Sequence, residues 1–158
     1  MKALKALVIG SNGFIGKRLV ETLPTFGIEV TGADRTDIDL LNLDLKRWLT
    51  FDVVYICAGV TKFLDCESNP DAYRVNVDAP IEIGRFYDKV VFLSSEVVEK
   101  GLHTAYGLQK ALAEVGLRGV CNPVIARLCK KVTVENLESC CSWLANLAKS
   151  EPGVYRWT

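Results

Sequence analysis

The hydrophobic residues of the chain form short runs that alternate with stretches of helical periodicity. The runs are typical of strands buried on both faces, and they occupy residues 4–9, 28–33, 53–57, 90–93, 123–128 and 153–157. Apolar residues at three- and four-residue intervals predict helices at residues 17–23, 45–49, 106–117 and 134–149, and a helix with a connection within 70–87. This alternation predicts an α/β fold of three layers, with a mainly parallel, doubly wound sheet between the helices.

The length and the charge of the chain limit the classes of protein to consider. At 158 residues the chain has the size of one domain, and we predict a single domain over residues 1–158 because no linker, repeat or low-complexity stretch divides it. The formal net charge is zero, so a basic nucleic-acid-binding protein is not expected. No apolar segment is long enough to span a membrane, and we expect a cytoplasmic protein.

Neither the cysteines nor the histidine indicates a metal site. The six cysteines form no CxxC pair and no zinc-finger spacing, so reduced thiols are expected. The adjacent Cys140 and Cys141 could be redox-active, but packing within a predicted helix explains them better. His103 is the only histidine and is interpreted as a solvated loop residue, so no serine–histidine–acid triad is predicted.

A glycine-rich turn follows the first predicted strand and precedes a helix. Its glycines are spaced as GxxGxxG. Glycine lets the backbone turn tightly and approach a pyrophosphate closely, and the amino terminus of the helix offers unpaired N–H groups and a favourable dipole. The turn therefore predicts a dinucleotide-binding Rossmann fold. The residues of the turn assigned to the cofactor are Gly10, Asn12, Gly13, Phe14, Ile15 and Gly16.

Two charged residues after the second predicted strand bear on the choice between NAD and NADP. Asp34 is placed to accept hydrogen bonds from the hydroxyls of the adenosine ribose, and its carboxylate would repel a 2′-phosphate. Arg35 follows directly and could instead bind that phosphate. Asp34 favours NAD as the cofactor, while Arg35 leaves NADP open.

A serine, a tyrosine and a lysine in the second half of the chain suggest the chemistry. Ser94 and Ser95 end a predicted strand, and Tyr106 and Lys110 follow in a predicted helix with the spacing YxxxK. Residues four apart share a helix face, so the ammonium group can lower the pKa of the phenol. With the preceding glycine turn, these residues resemble the short-chain dehydrogenase/reductase superfamily. Within it, the chain is similar to the extended type, which includes NAD-dependent epimerases and dehydratases and dTDP-4-dehydrorhamnose reductases.

The resemblance implies a catalytic set of Ser95, Tyr106 and Lys110, with Ser94 as the alternative serine. In that family the tyrosine exchanges a proton with a substrate oxygen, the serine orients this oxygen, and the lysine also binds the nicotinamide ribose. Tyr106 and Lys110 are therefore also expected to contact the cofactor. The implied function is that of an oxidoreductase or epimerase that acts on a hydroxyl or keto group of a small molecule, such as a nucleotide-sugar.

The resemblance also assigns cofactor contacts on either side of the third predicted strand. Asp39 and Leu40 match the aspartate–hydrophobe pair that lies against adenine in the superfamily. Cys57, Ala58 and Gly59 are small residues that end the third strand and let the cofactor lie flat.

The chain departs from the extended family after Arg127. Family members insert a substrate-binding lobe there, whereas residues 129–131 here lead directly into a segment similar to the helix that follows the lobe. We therefore expect an open site, and a homo-oligomer or a partner subunit that completes it. The shortened sequence also supports two further hypotheses, a non-catalytic NAD(P)-binding regulator and a subunit that is active only in a larger complex.

Overall fold

Six parallel strands form the sheet of the computed structural model, which describes residues 2–100 and 102–158. The strands lie in the order β2-β1-β3-β4-β5-β6. Each neighbouring pair is parallel, so the sheet is entirely rather than mainly parallel. The strands are β1 (Lys5–Ile9), β2 (Glu29–Ala33), β3 (Val53–Ile56), β4 (Val90–Ser95), β5 (Val124–Leu128) and β6 (Gly153–Trp157).

Helices connect the strands and cover both faces of the sheet, which confirms the predicted three-layer α/β Rossmann fold. The helices are α1 (Phe14–Thr22), α2 (Phe63–Ser68), α3 (Asp71–Tyr73), α4 (Ala79–Gly84), α5 (Val97–Lys100), α6 (Ala105–Val120) and α7 (Leu137–Asn146). A π-helical turn at Arg74–Asp78 joins α3 to α4, and 3₁₀ turns at Leu23–Phe26 and Leu147–Lys149 extend α1 and α7.

The two faces of the sheet bury separate hydrophobic clusters because successive residues of a strand point to opposite sides. On one side Val8 of β1 packs in a cluster with Leu144 of α7, and on the other side Ile9 packs with Leu117 of α6. All four side chains are at most 1% exposed. Truncating a buried leucine such as Leu117 to alanine costs about 2–5 kcal/mol of stability. The loops at the carboxyl ends of the strands therefore extend from a sheet whose two faces are buried in hydrophobic clusters.

The predicted helix at residues 45–49 is wrong, because this segment forms a turn. The carboxylate of Asp44 accepts the Lys46 backbone N–H at 3.1 Å, and the Trp48 N–H donates to the carbonyl of Leu45. Such local bonds compete with helical ones. Leu45 is nevertheless buried in the core, as its apolar character predicts.

The last predicted helix begins later than its apolar pattern suggested. Helix α7 starts at Leu137 rather than at residue 134. The side chain of Asn136 accepts the Thr133 N–H at 2.8 Å and donates to the carbonyl of Lys131 at 3.0 Å. These bonds hold the residues before Leu137 in a turn. Residues 129–136 are therefore all that separates β5 from α7.

No helix in the described part of the chain is both long and apolar enough to cross a membrane.

Candidate functional site

The glycine turn lies at the carboxyl end of β1, between the ends of β2 and β3. Gly10 adopts a φ of +89°, and a Cβ atom there would lie 2.6 Å from the backbone nitrogen of Ala58. A Cβ atom at Gly16 would lie 2.1 Å from the carbonyl oxygen of Gly10. The Gly10 N–H donates to the Ala33 carbonyl at 2.9 Å. Gly10 and Gly16 are therefore required by packing within the turn.

The middle glycine of the motif lies on the open side of the turn. Gly13 is the exposed residue that precedes α1, and among the described residues no side chain caps this helix. The first amides of a helix have no intrahelical acceptor, so those of Phe14, Ile15 and Gly16 can bind an anion. The side chain of Ile15 packs in the core. Any role of Ile15 in cofactor binding would thus involve its backbone.

A cleft of about 420 Å³ extends from the glycine turn across the ends of β2 and β3. Its lining includes ten residues assigned to the cofactor from the sequence: Gly10, Asn12, Gly13, Asp34, Arg35, Asp39, Leu40, Cys57, Ala58 and Gly59. It also includes residues that the sequence reasoning missed: Ile9, Ile38, Leu41, Val60, Asn69, Asp71 and Val75. Ile38 and Leu41 flank the Asp39–Leu40 pair in sequence, so their position beside two predicted cofactor residues could have identified them. A cleft of this kind can hold the adenosine half of a dinucleotide.

Asp34 is held firmly at the rim of this cleft. Its Oδ1 accepts the hydroxyl of Thr36 at 2.7 Å and the Thr36 backbone N–H at 2.8 Å. Its Oδ2 accepts the amide of Asn12 at 3.1 Å. The hydrogen bonds from Thr36 lower the pKa of Asp34, so a fixed negative charge faces the cleft. Arg35 also lines the cleft, with an exposed side chain.

Ser95, Tyr106 and Lys110 meet at the carboxyl end of β4. The Lys110 ammonium donates to the carbonyl of Leu93 at 2.9 Å and lies 5.8 Å from the centre of the Tyr106 ring. The Ser95 hydroxyl acts on the Tyr106 phenol and opposes the rise in its pKa. The structure thus brings the three predicted catalytic residues together, although none of them lines the dinucleotide cleft.

The alternative serine, Ser94, points away from the phenol. Its hydroxyl donates to Oε2 of the buried Glu114 at 2.6 Å, and the Nη2 group of Arg127 donates to the other oxygen at 2.6 Å. Ser94 is thus bonded to Glu114, and Ser95 is the serine whose hydroxyl lowers the pKa of the phenol. The Glu114–Arg127 pair ties α6 to β5 behind the site.

The ionisation of Tyr106 and Lys110 is dominated by burial. Burial lowers the pKa of Lys110 to about 8. Burial also raises the pKa of Tyr106, against the opposing effect of the Ser95 hydroxyl. We expected Lys110 to lower the pKa of the phenol, but the pKa of Tyr106 is raised, because burial has the largest effect. The ammonium group is directed to the Leu93 carbonyl, below the Tyr106 ring.

Gly59 joins the catalytic residues to the dinucleotide cleft. A Cβ atom at Gly59 would lie 3.2 Å from Oδ1 of Asn76 and 3.8 Å from the Nζ atom of Lys110. Asn76 accepts the Val60 N–H at 2.8 Å and donates to the Val60 carbonyl at 2.9 Å, so it fixes this wall of the cleft. Lys110 therefore lies next to Gly59, which lines the cleft, and the residues present along the cleft fit a dinucleotide.

Phe63 is the contact to the catalytic set that the sequence reasoning missed. Its ring centroid lies 5.4 Å from that of Tyr106, at an interplanar angle of 33°. The two residues are far apart in sequence, and no spacing rule connects them.

Comparison with known proteins places the chain in a family. A profile of the NAD dependent epimerase/dehydratase family matches residues 6–122. The chain belongs to this family. Its membership confirms the resemblance drawn from the sequence, and the dependence of the family on NAD confirms the expected class of cofactor. No curated protein matches the chain.

Solved structures show the same fold at low sequence identity. The dTDP-4-dehydrorhamnose reductase from Bacillus anthracis str. Ames in complex with NADP has a TM-score of 0.86 and 17% identity, and the match covers 100% of this chain and 75% of the reductase. The Bordetella bronchiseptica enzyme WbmH in complex with NAD⁺ has a TM-score of 0.72 and 13% identity, covering 99% of this chain and 76% of WbmH. A UDP-galactose 4-epimerase has a TM-score of 0.66 and 25% identity, covering 79% of this chain and 55% of the epimerase.

Proposed function

We propose that this protein is an NAD(P)-dependent oxidoreductase or epimerase that acts on a hydroxyl or keto group of a small molecule. The observation that carries the proposal is the meeting of Ser95, Tyr106 and Lys110 next to Gly59, at the edge of the dinucleotide cleft. A nucleotide-sugar is the proposed substrate class. Two structural neighbours, a dTDP-4-dehydrorhamnose reductase and a UDP-galactose 4-epimerase, support that class.

The cofactor would be held along the whole cleft. The first amides of α1, after Gly13, would bind the pyrophosphate, and Asp34 would bind the adenosine ribose. Asp39 and Leu40 would lie against adenine, and Lys110 would reach the nicotinamide ribose. When bound, the nicotinamide supplies the site with a hydride donor or acceptor.

The residues of the chain supply the proton chemistry. Because the pKa of Tyr106 is raised, the phenol is protonated at neutral pH and is ready to donate a proton to a keto oxygen. Ser95, whose hydroxyl acts on the phenol, would orient that oxygen. Lys110, whose ammonium group donates to the Leu93 carbonyl and lies 5.8 Å from the centre of the Tyr106 ring, would bind the nicotinamide ribose beside the phenol.

A second function, that of a dinucleotide-binding regulator without turnover, is favoured by a different observation. The ring of Phe63 packs against that of Tyr106. In addition, only residues 129–136 connect β5 to α7, so this connection is too short to contain the substrate-binding lobe that extended family members insert there. Catalytic intermediates are normally sheltered from water by closing elements. In this alternative, the chain reports the bound dinucleotide to a partner.

One experiment separates the two functions. NAD binding is measured by calorimetry, and nucleotide-sugars and small alcohols or ketones are then screened for NADH formation or consumption, with Tyr106→Phe as the control. Turnover that is lost in Tyr106→Phe supports the enzyme. Tight NAD binding without turnover of any compound would support the regulator.

A further inference from the structure

Helix α2 contacts the first turn of α6, which carries Tyr106. The Phe63 ring packs against the Tyr106 ring at 5.4 Å between centroids. Oε1 of Glu67 accepts the backbone N–H of Ala105, the residue before Tyr106, at 2.8 Å. Phe63 and Glu67 are four residues apart, so they lie on the same face of α2. That face meets the start of α6.

The other contacts of α2 attach it to the wall of the dinucleotide cleft. Cys66 is buried, and its Sγ donates to the carbonyl of Val60 at 3.2 Å. The amide of Asn76 donates to the same sulfur at 3.6 Å. Val60 lines the cleft. Helix α2 thus bridges the cleft wall and the first turn of α6.

The position of Tyr106 makes such a bridge useful. Tyr106 is the second residue of α6, where the backbone amides lack intrahelical acceptors and depend on capping side chains. Thr104 accepts the Gly107 N–H at 3.0 Å, and Glu67 accepts the Ala105 N–H. A phenol in a terminal turn that frays would lose its alignment with Ser95, and a displacement of about 1 Å can cost on the order of 10²-fold in rate.

We propose that Phe63 and Glu67 are positioning residues that hold the phenol of Tyr106 against Ser95. Helix α2 belongs to the Rossmann domain itself. It orders the site in the way that a closing loop or lid does in other enzymes. The inference rests on the proposed proton-transfer function of Tyr106 and deepens it.

The pKa of the phenol provides a readout that requires no substrate. The groups that face Tyr106 are Cys66, Ser95, Lys110 and the ring of Phe63. Burial is the largest effect and raises the pKa of Tyr106 above its usual value. Removing the ring of Phe63 admits water to the phenol, so the pKa should fall toward that of a free tyrosine.

The test is an ultraviolet titration of the phenol in the full chain, with the Tyr106→Phe background subtracted for each variant. We expect Phe63→Ala to lower the pKa of Tyr106 and Phe63→Trp, which keeps a ring, to restore it. Leu64→Ala is the matched control, since Leu64 lies on the same helix, is 81% exposed and should leave the pKa unchanged. Phe63 is itself 53% exposed, so the thermal midpoint of Phe63→Ala should remain close to that of the wild type.

The Glu67 variants separate the hydrogen bond from the charge. Glu67→Gln keeps an acceptor for the Ala105 N–H, whereas Glu67→Ala removes it, so only Glu67→Ala should shift the pKa of Tyr106 substantially. With a substrate in hand, Phe63→Ala and Glu67→Ala should lower kcat by about 10- to 100-fold while leaving NAD affinity unchanged.

The inference is overturned if the pKa of Tyr106 is the same in Phe63→Ala, Glu67→Ala and the wild type. Failure of the proposed function has a different signature, namely turnover that persists in Tyr106→Phe. The titration and the turnover assay can therefore fail independently of each other.

Discussion

The side-chain amide of Asn12, in the glycine turn, donates a 3.1 Å hydrogen bond to the carboxylate of Asp34 at the end of β2. Thr36 fixes the other oxygen of this carboxylate through its hydroxyl and its backbone N–H. The carboxylate therefore has one orientation and stays ionised at neutral pH. A fixed negative charge at this end of the cleft repels the 2′-phosphate that distinguishes NADP from NAD.

Asp34→Ala should weaken the binding of NAD and strengthen the relative binding of NADP. A hydrogen bond to a charged group contributes about 1.5–3 kcal/mol, so the NAD dissociation constant should rise on the order of 10- to 100-fold. Asn12→Ala keeps the carboxylate and should have a smaller effect. Calorimetric titration with NAD and with NADP measures the ratio of the two dissociation constants. A wild-type preference for NADP would assign specificity to Arg35 instead.

Gly13→Val should abolish dinucleotide binding while the domain still folds. Gly13 is exposed on the side of the turn where the pyrophosphate would lie, and a Cβ atom there would be 3.3 Å from the Gly10 carbonyl oxygen. Gly119→Ala is the matched control, because a Cβ atom at Gly119 meets no atom within 4 Å. Thermal unfolding without NAD shows whether the variant folds, and the rise in the midpoint on addition of NAD shows whether it binds the dinucleotide. An NAD-dependent rise in the midpoint of Gly13→Val equal to that of the wild type would rule out this placement of the pyrophosphate.

Lys110 should leave a signature in the dependence of stability on pH. Burial lowers the pKa of Lys110 to about 8 from an unfolded value of 10.5, so between these values the unfolded chain binds more protons than the folded one. The free energy of unfolding contributed by Lys110 should therefore rise as the pH increases through this window. Lys110→Met should lack this rise. Denaturation of the wild type and of Lys110→Met at a series of pH values measures the difference, which is the contribution of Lys110. Parallel pH profiles would show that Lys110 is not desolvated.

If a second chain supplies the part of the substrate site that this chain lacks, the protein should associate through an exposed apolar surface. Leu108, Leu112 and Val115 recur at helical spacing on α6 and are exposed. Val115→Asp should then reduce the mass measured by light scattering, whereas Val134→Asp, at an exposed residue before α7, should not. A wild-type protein that is monomeric at all concentrations and turns over substrate would contradict the expectation.

The strands, and the placement of Tyr106 and Lys110 on one helix, were predictable because each depends on local pattern. Short apolar runs specify buried parallel strands, and the spacing of Tyr106 and Lys110 places both on one helix face. Helix α2 was not predicted, because it has six residues and its Phe63 and Leu64 are exposed, so it has no periodic apolar face.

The environment of the phenol could not be obtained from the sequence. The direction of the Tyr106 pKa shift depends on the burial of the phenol, and the ring packed against it belongs to Phe63, a residue distant in sequence. The sequence also does not show that the hydroxyl of Ser94 is bonded to Glu114, whereas the hydroxyl of Ser95 acts on the phenol.

The central claim, that Tyr106 transfers a proton next to a bound dinucleotide, is tested most directly by comparing Tyr106→Phe with the wild type. This variant removes only the phenolic hydroxyl, so the NAD dissociation constant should be nearly unchanged. Turnover of the substrate found in the screen should fall by about 10²–10⁴-fold. Tyr106→Phe that retains the wild-type kcat would contradict the account.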